Sequence, residues 1–208
     1  MRAKMKTKQV DSNHRLAPVM PYILIVSGSV GLASSFILSY EEMQLDKNPA
    51  FVPACNLNPI ISCGTVLHAT ASSVFGFPNA WLGLVCFGAI ITVGASLAAG
   101  AAIKHWFWLI LLAGVMFGVV FAYWMLWQSV YIVKALCPFC LSVDAVMTTI
   151  FWYVLLYVTR EGYLVVPRRL IGIADFARRH HLAILLLWTL FIIALILHHF
   201  WYYYGQYA

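Results

Sequence analysis

The chain has 208 residues, 63% hydrophobic and 10% charged, with thirteen Lys/Arg against seven Asp/Glu and a formal net charge of +6. Ordinary soluble domains carry about 25% charged residues, so this composition, with a mean hydropathy of +0.86, excludes that class and marks an integral membrane protein. The positive balance is no sign of nucleic-acid binding, because neither a basic, aromatic-interleaved groove nor a glycine-rich phosphate loop accompanies it.

Crossing about 30 Å of hydrocarbon takes roughly 20 helical residues. Five apolar runs meet that need, approximately Pro21 to Tyr40, Ala80 to Ile103, Trp106 to Tyr131, Cys137 to Val158 and His181 to Trp201. The first follows Arg2, Lys4, Lys6, Lys8 and Arg15, so a cleaved signal peptide is the competing reading. Signal cores run to about 15 residues; this run is longer and lacks an Ala-x-Ala site, which predicts a retained helix. A long loop, Glu41 to Asn79, comes next and carries Cys55, Cys63 and an amphipathic stretch, "GTVLHATASSVFGF", suited to lie over a pocket as a lid. His68 within it is expected to be solvated. In the second helix Cys86 is read as a small packing residue. Gly114 and Gly118 make a Gly-x-x-x-Gly step in the third, expected to pack closely on a neighbouring helix. Trp81, Trp106, Tyr131, Trp201 and Tyr202 sit near helix ends and are read as interface anchors. No internal repeat, low-complexity tract or soluble domain is evident.

Basic residues set the expected orientation. Arg2, Lys4, Lys6, Lys8, Arg15, Lys104, Arg160, Arg168, Arg169, Arg178 and Arg179 fall on one side, and only Lys47 and Lys134 on the other, beside Glu41, Glu42 and Asp46. The N-terminus is therefore expected in the cytoplasm, with the C-terminus and four of the five cysteines outside.

Thiols in a non-cytosolic compartment tend to be oxidised, so Cys55, Cys63, Cys137 and Cys140 suggest two disulfides, with three connectivities open. They could merely staple a loop. A zinc site is a second reading, weakened by the seven residues between Cys55 and Cys63 because structural zinc prefers short spacing in both pairs. A redox relay is the third, and the placing of Cys137-Pro138-Phe139-Cys140 at a helix start supports it. Unpaired N–H groups and the helix dipole there favour a thiolate, and proline suits the first helical position. Three residues of separation leave both sulfurs on neighbouring faces of one turn, one able to meet water and the other deeper.

Cys55-Asn-Leu-Asn-Pro-Ile-Ile-Ser-Cys63, with Ser62 before its second cysteine, then "PNAWLGL" opening a helix, then Cys137-Pro-Phe-Cys140, resembles the vitamin K epoxide reductase family over roughly Pro21 to Val158. The fifth helix is similar to bacterial members, which act in disulfide formation with a quinone; eukaryotic members reduce vitamin K epoxide. The resemblance implies a quinone of menaquinone, ubiquinone or vitamin K type, no metal, and a thioredoxin-fold partner outside the cytoplasm. It also implies catalytic Cys55, Cys63, Cys137 and Cys140. Electrons would enter at Cys55–Cys63, Cys55 would attack Cys137, and Cys140 would deliver to quinone. Asn79, Asp144 and Ser62 are expected at the quinone. Asn79 is equally suited to capping the second helix. Asp144 stands where eukaryotic members have a tyrosine, and an ionisable residue within a membrane helix is a candidate for proton transfer.

The expected architecture is an all-α integral membrane protein. A basic cytoplasmic tail spans 1–20 and a four-helix catalytic domain 21–158, its long outer loop carrying a short amphipathic helix. A basic cytoplasmic loop covers 159–180, and a fifth transmembrane helix with a short outer end covers 181–208. The expected activity is quinone-dependent reoxidation of a separate thioredoxin-fold carrier, in a multi-pass plasma (inner) membrane protein; "YYYGQYA" offers no ER-retrieval signal, which favours a bacterial membrane. The alternatives are a quinone or quinone-epoxide reductase that uses thiols as reductant, and a non-enzymatic membrane protein with structural disulfides.

Overall fold

The computed structural model describes residues 19–48, 50–164 and 171–205. Most of the expected basic tail, with Arg2, Lys4, Lys6, Lys8 and Arg15, lies outside them, as do Arg168, Arg169 and the last three residues. The described chain is all helix and connection: α1 Met20–Lys47, α2 Cys63–Leu67, α3 Asn79–Ala98, α4 His105–Trp127, α5 Pro138–Arg160, α6 Ile171–Arg179 and α7 His181–Gly205. α4 continues as a π-helical turn, Gln128–Val133. Five helices are long and apolar enough to cross a membrane, which makes this a multi-pass membrane protein. The helix α6, amphipathic and nine residues long, interrupts what was expected to be a basic loop.

In lipid, apolar side chains gain little by leaving one hydrocarbon for another, so helices associate through close packing of small residues. α1 presents such a face in Gly28, Gly31, Ser34, Ser35 and Ser39, all buried. The Phe87 ring of α3 covers Gly31, leaving no room there for a Cβ. α3 returns the contact with Gly94, where a Cβ would meet the Pro21 carbonyl and Leu24 Cβ, each at 3.0 Å. α1 also packs on α5, and α5 on α4, whereas α3 and α4 make almost no contact. The bundle is thus open between α3 and α4. A core of Leu24, Phe87, Trp108, Ile150, Val154 and Val158 fills the rest, with Trp108 and Tyr157 ring centroids 4.3 Å apart.

α7 stands largely in contact with lipid, none of its most apolar window being buried. At one end Trp152 Nε1 donates to the His181 carbonyl at 3.2 Å. At the other, Phe200 packs with Ile60, Val130 and Leu136.

Two expectations change here. α1 runs to Lys47, so Glu41 and Glu42 are helical and buried instead of lying in a solvated loop. The glycine step in α4 is no close helix contact: a Cβ on Gly114 would meet nothing within 4 Å, and one on Gly118 only the flexible end of Met147.

The α1–α3 packing predicts that Gly94→Val, forced against backbone, destabilises the protein by about 1–3 kcal/mol. That loss should lower the thermal unfolding midpoint in detergent. Gly88→Ala, where a Cβ would meet nothing within 4 Å, should leave the midpoint unlowered or raise it slightly, because alanine favours the helix interior.

Candidate active site

Two segments converge at the end of the bundle that carries the loop between α1 and α3. The π turn after α4 ends at Lys134, whose left-handed conformation (φ 57°) redirects the chain. Leu136 then runs parallel to Ile61: its N–H donates to the Ile60 carbonyl at 2.6 Å, and its own carbonyl accepts from Ser62 N–H at 3.0 Å. Cys137 follows this bridge by one residue and Cys63 by two, and their sulfurs lie 3.2 Å apart.

The loop before Cys63 is built by its own asparagines. Asn58 Oδ1 accepts from the N–H groups of Ile60 and Ile61, at 3.0 and 2.7 Å. Asn56 Oδ1 accepts from Gly64 N–H at 2.9 Å and from the Ser62 hydroxyl at 3.2 Å. Ser62 caps α2, its hydroxyl accepting from Thr65 N–H at 3.3 Å. Expected at the quinone, Ser62 is instead committed to holding this turn, because its short side chain is directed back along the backbone it caps.

Cys55 and Cys63 form a disulfide with Cα atoms 5.6 Å apart, while Cys137 and Cys140 are free thiols. That resolves the open connectivities. Cys63 is 0% and Cys137 2% exposed, so Cys137 lies beneath the disulfide and does not meet water as expected. In this disulfide-bonded state the sulfur that touches Cys137 belongs to Cys63, while Cys55, expected to attack Cys137 once its loop moves, is the other half of the disulfide. Cys55 turns instead to Glu41, whose Oε2 lies 3.2 Å from its Sγ while Oε1 accepts from Ala54 N–H at 3.1 Å. The ligand atoms of Glu41, Cys55 and Cys63 lie within 4.8 Å of one another, but two sulfurs bonded to each other are not thiolate ligands.

Cys137 caps α5, with Pro138 at the first helical position as expected, and its Sγ accepts from Cys140 N–H at 3.4 Å. Hydrogen bonding from the Cys140 thiol holds the Cys137 thiol below its ordinary range. The Cys140 and Phe139 N–H groups act in the same direction, against burial and the Glu41 charge.

Cys140, one turn along, opens into a cavity of about 460 Å³ that fills the gap between α3 and α4, a volume typical of small-molecule sites. Its wall follows α3 from Asn79 to Val93, about 21 Å at 1.5 Å per residue. The lining is apolar except for a few groups, chiefly Glu42, Asn79, Cys140 and Asp144. Val66, Leu67 and Ser72 cover one end, the place expected of the amphipathic segment. Cys86, Gly114 and Gly118 belong to this wall and not to a helix contact.

Asn79 is the first residue of α3 and caps nothing; Pro78 precedes it in the cap position. Its Nδ2 donates to the Ala71 carbonyl at 2.7 Å, and its Oδ1 is buried without a partner. Such an orphan is costly unless a ligand completes it. A quinone fits these residues: a flat apolar ring and chain for the slot, a ring oxygen for Asn79, and Cys140 on the wall beside it.

Glu41 and Glu42 were missed as site residues because charges just past an apolar run read as solvent-facing. Asn56 and Asn58 were missed because only the folded loop shows what they hold. The family model described as "Vitamin K epoxide reductase family" matches residues 22–155, well over half the chain, and takes in α1 to most of α5. No curated protein matches the chain significantly. With both cysteine pairs and the cavity inside that match, the chain belongs to the vitamin K epoxide reductase family, whose enzymes are quinone-linked thiol oxidoreductases, and is itself such an enzyme.

Proposed function

We propose that this enzyme reoxidises a thioredoxin-fold carrier on the non-cytoplasmic face and passes the electrons to a membrane quinone, so supplying disulfides to exported proteins. The observation that carries this reading is the unbroken line of sulfurs, from the Cys55–Cys63 disulfide across 3.2 Å to Cys137 and on to Cys140 in the cavity wall. The charge bias of the connections supports an N-terminus in the cytoplasm and an outward-facing relay. Val52 and Leu57, 69% and 72% exposed on either side of Cys55, offer an apolar landing for the carrier. Cys55 itself is only 7% exposed, so its loop must shift to receive a thiolate in line.

In this scheme the carrier attacks Cys55 and frees Cys63 as thiolate. Cys63 attacks Cys137 of a Cys137–Cys140 disulfide and releases Cys140. The carrier's second thiol then frees Cys55, which closes on Cys63 and leaves both inner cysteines reduced, the pattern of one disulfide and two thiols described above. Bound in the cavity, a quinone supplies the two-electron oxidation. Cys140 would present its sulfur to that quinone, Asn79 Oδ1 or Nδ2 would hold a ring oxygen, and Asp144 in the same wall would be placed to pass a proton. A potential difference of about 30 mV, worth about 1.4 kcal/mol for two electrons, gives tenfold direction to each exchange.

Purified protein given a reduced Cys-x-x-Cys carrier and quinone should consume thiol and reduce quinone. Cys140→Ala should abolish that turnover, whereas a protein whose cysteines only brace a loop would have no turnover to lose. In the same variant the ultraviolet thiolate titration of Cys137 should move to higher pH, because the thiol that stabilises its charged form is gone. Preference for a quinone epoxide over quinone in this assay would make reduction of the ring, and not carrier oxidation, the physiological output. Cys63→Ala should trap a mixed disulfide between Cys55 and the carrier, visible on a non-reducing gel, and its absence in cells would count against a thioredoxin-fold partner. Asn79→Ala should raise the KM for quinone about tenfold, one hydrogen bond of about 1.4 kcal/mol, with carrier exchange unaltered; equal loss of both would assign Asn79 to folding.

A further inference from the structure

The carboxyl of Glu41 has a use that the relay as stated does not supply. It is 4% exposed near the C-terminal end of α1. One oxygen is occupied by Ala54 N–H, and the other lies 3.2 Å from Cys55 Sγ. A disulfide sulfur has no hydrogen to give, so that contact becomes a hydrogen bond only when the carboxyl carries the proton. Once the disulfide is reduced, the same pair of atoms holds a thiol against a carboxylate, and a proton can cross between them without either side chain moving far. Cys55 leaves the carrier with the electron pair and must again be a thiolate to close on Cys63; once its loop is back over it, the group beside it that can hold and return the proton between these steps is a carboxyl.

We propose that Glu41 is the proton exchanger of Cys55, taking the thiol proton when Cys55 closes on Cys63 and returning it when Cys55 is released from the carrier. The proposal rests on the relay above and adds a catalytic residue to it. In the closing step the Cys55 S–H proton passes to Glu41 Oε2. The Cys55 thiolate then forms a bond to Cys63 Sγ, the Cys63–Cys137 bond breaks, and its electron pair leaves on Cys137 as thiolate. In the release step the second carrier thiolate attacks the carrier–Cys55 disulfide, Cys55 departs with the electron pair, and the Glu41 carboxyl protonates it. Glu41 ends each cycle as it began. The titratable groups that face it are Cys55 from the loop, Cys63 from α2 and Cys137 at the head of α5, with Glu42 beside it on α1.

Glu41→Gln in the full chain tests this, because the amide keeps an acceptor for Ala54 N–H but exchanges no proton. With a reduced Cys-x-x-Cys carrier and quinone, the variant should be slowed at neutral pH and regain about tenfold per pH unit as hydroxide replaces the missing base. Acid quenching and alkylation should reveal a Cys63–Cys137 mixed disulfide accumulating in the variant and not in the parent. Glu41→Asp, which retains a carboxyl, should show the parent's shallow pH profile. A Glu41→Gln protein with the parent's rate and profile overturns the proposal. So does a defect that is the same at every pH with no mixed disulfide, or a Glu41→Asp profile as steep as that of Gln. A parent protein that moves no electrons from carrier to quinone brings down the relay itself, whereas an active parent with an unaffected Gln variant removes only Glu41.

Discussion

Two backbone hydrogen bonds position everything chemical in this molecule. Leu136 gives its N–H to Ile60 and takes one from Ser62, and so fastens the loop between α1 and α3 to the segment that leads into α5. Such a clasp suits a bilayer edge, where backbone groups denied water must find each other. It has a definite register, and the register decides which sulfurs meet. Because Cys63 follows Ser62 and Cys137 follows Leu136 in the chain, their side chains arrive together at 3.2 Å. Phe200 of α7 packs with Ile60 and Leu136, which gives the fifth helix a part in protecting the junction.

The rest of the fold separates water from lipid around that junction. Small residues on α1 draw α3 close, the aromatic and aliphatic core binds α4 to α5, and among the described residues α3 and α4 make almost no contact. The slot that results runs along the apolar faces of both helices and ends at Cys140 and Asn79. The proposed relay would take electrons in at the Cys55–Cys63 loop and pass them out into this apolar slot. Between the two lies Cys137, buried, capped by N–H groups at the head of its helix and held toward its thiolate form. Stray oxidants and water thus have no easy access to the middle of the path.

The contrast between legible and illegible residues is itself physical. Pro138 after Cys137 announces a helix start whatever surrounds it, so that turn could be read directly. Glu41 could not, because its burial comes from a loop more than ten residues away folding back to give it Ala54 N–H and the Cys55 sulfur. Asn79 has the chemistry of a cap and does not act as one, since Pro78 takes the cap position and Asn79 is already the first residue inside the helix. Gly114 and Gly118 have the spacing of a helix contact, yet they border a cavity, because α3 and α4 barely touch and no helix backbone comes up against them. Ser62 has an oxygen a ring might use, and the turn of α2 uses it instead.

Local chemistry and hydropathy are properties of neighbours along the chain, and they determined the membrane class, the five helices and their approximate ends, and the reactive turn at Cys137. Pairing is a property of neighbours in space. Only the tertiary structure decided that Cys55 bonds Cys63, that Cys63 and not Cys55 faces Cys137, that two glutamates follow α1 into the interior, and that an apolar cavity opens between α3 and α4. Each of these depends on the loop register and on which helices touch, and both are set by hydrogen bonds and packing between segments far apart in the chain.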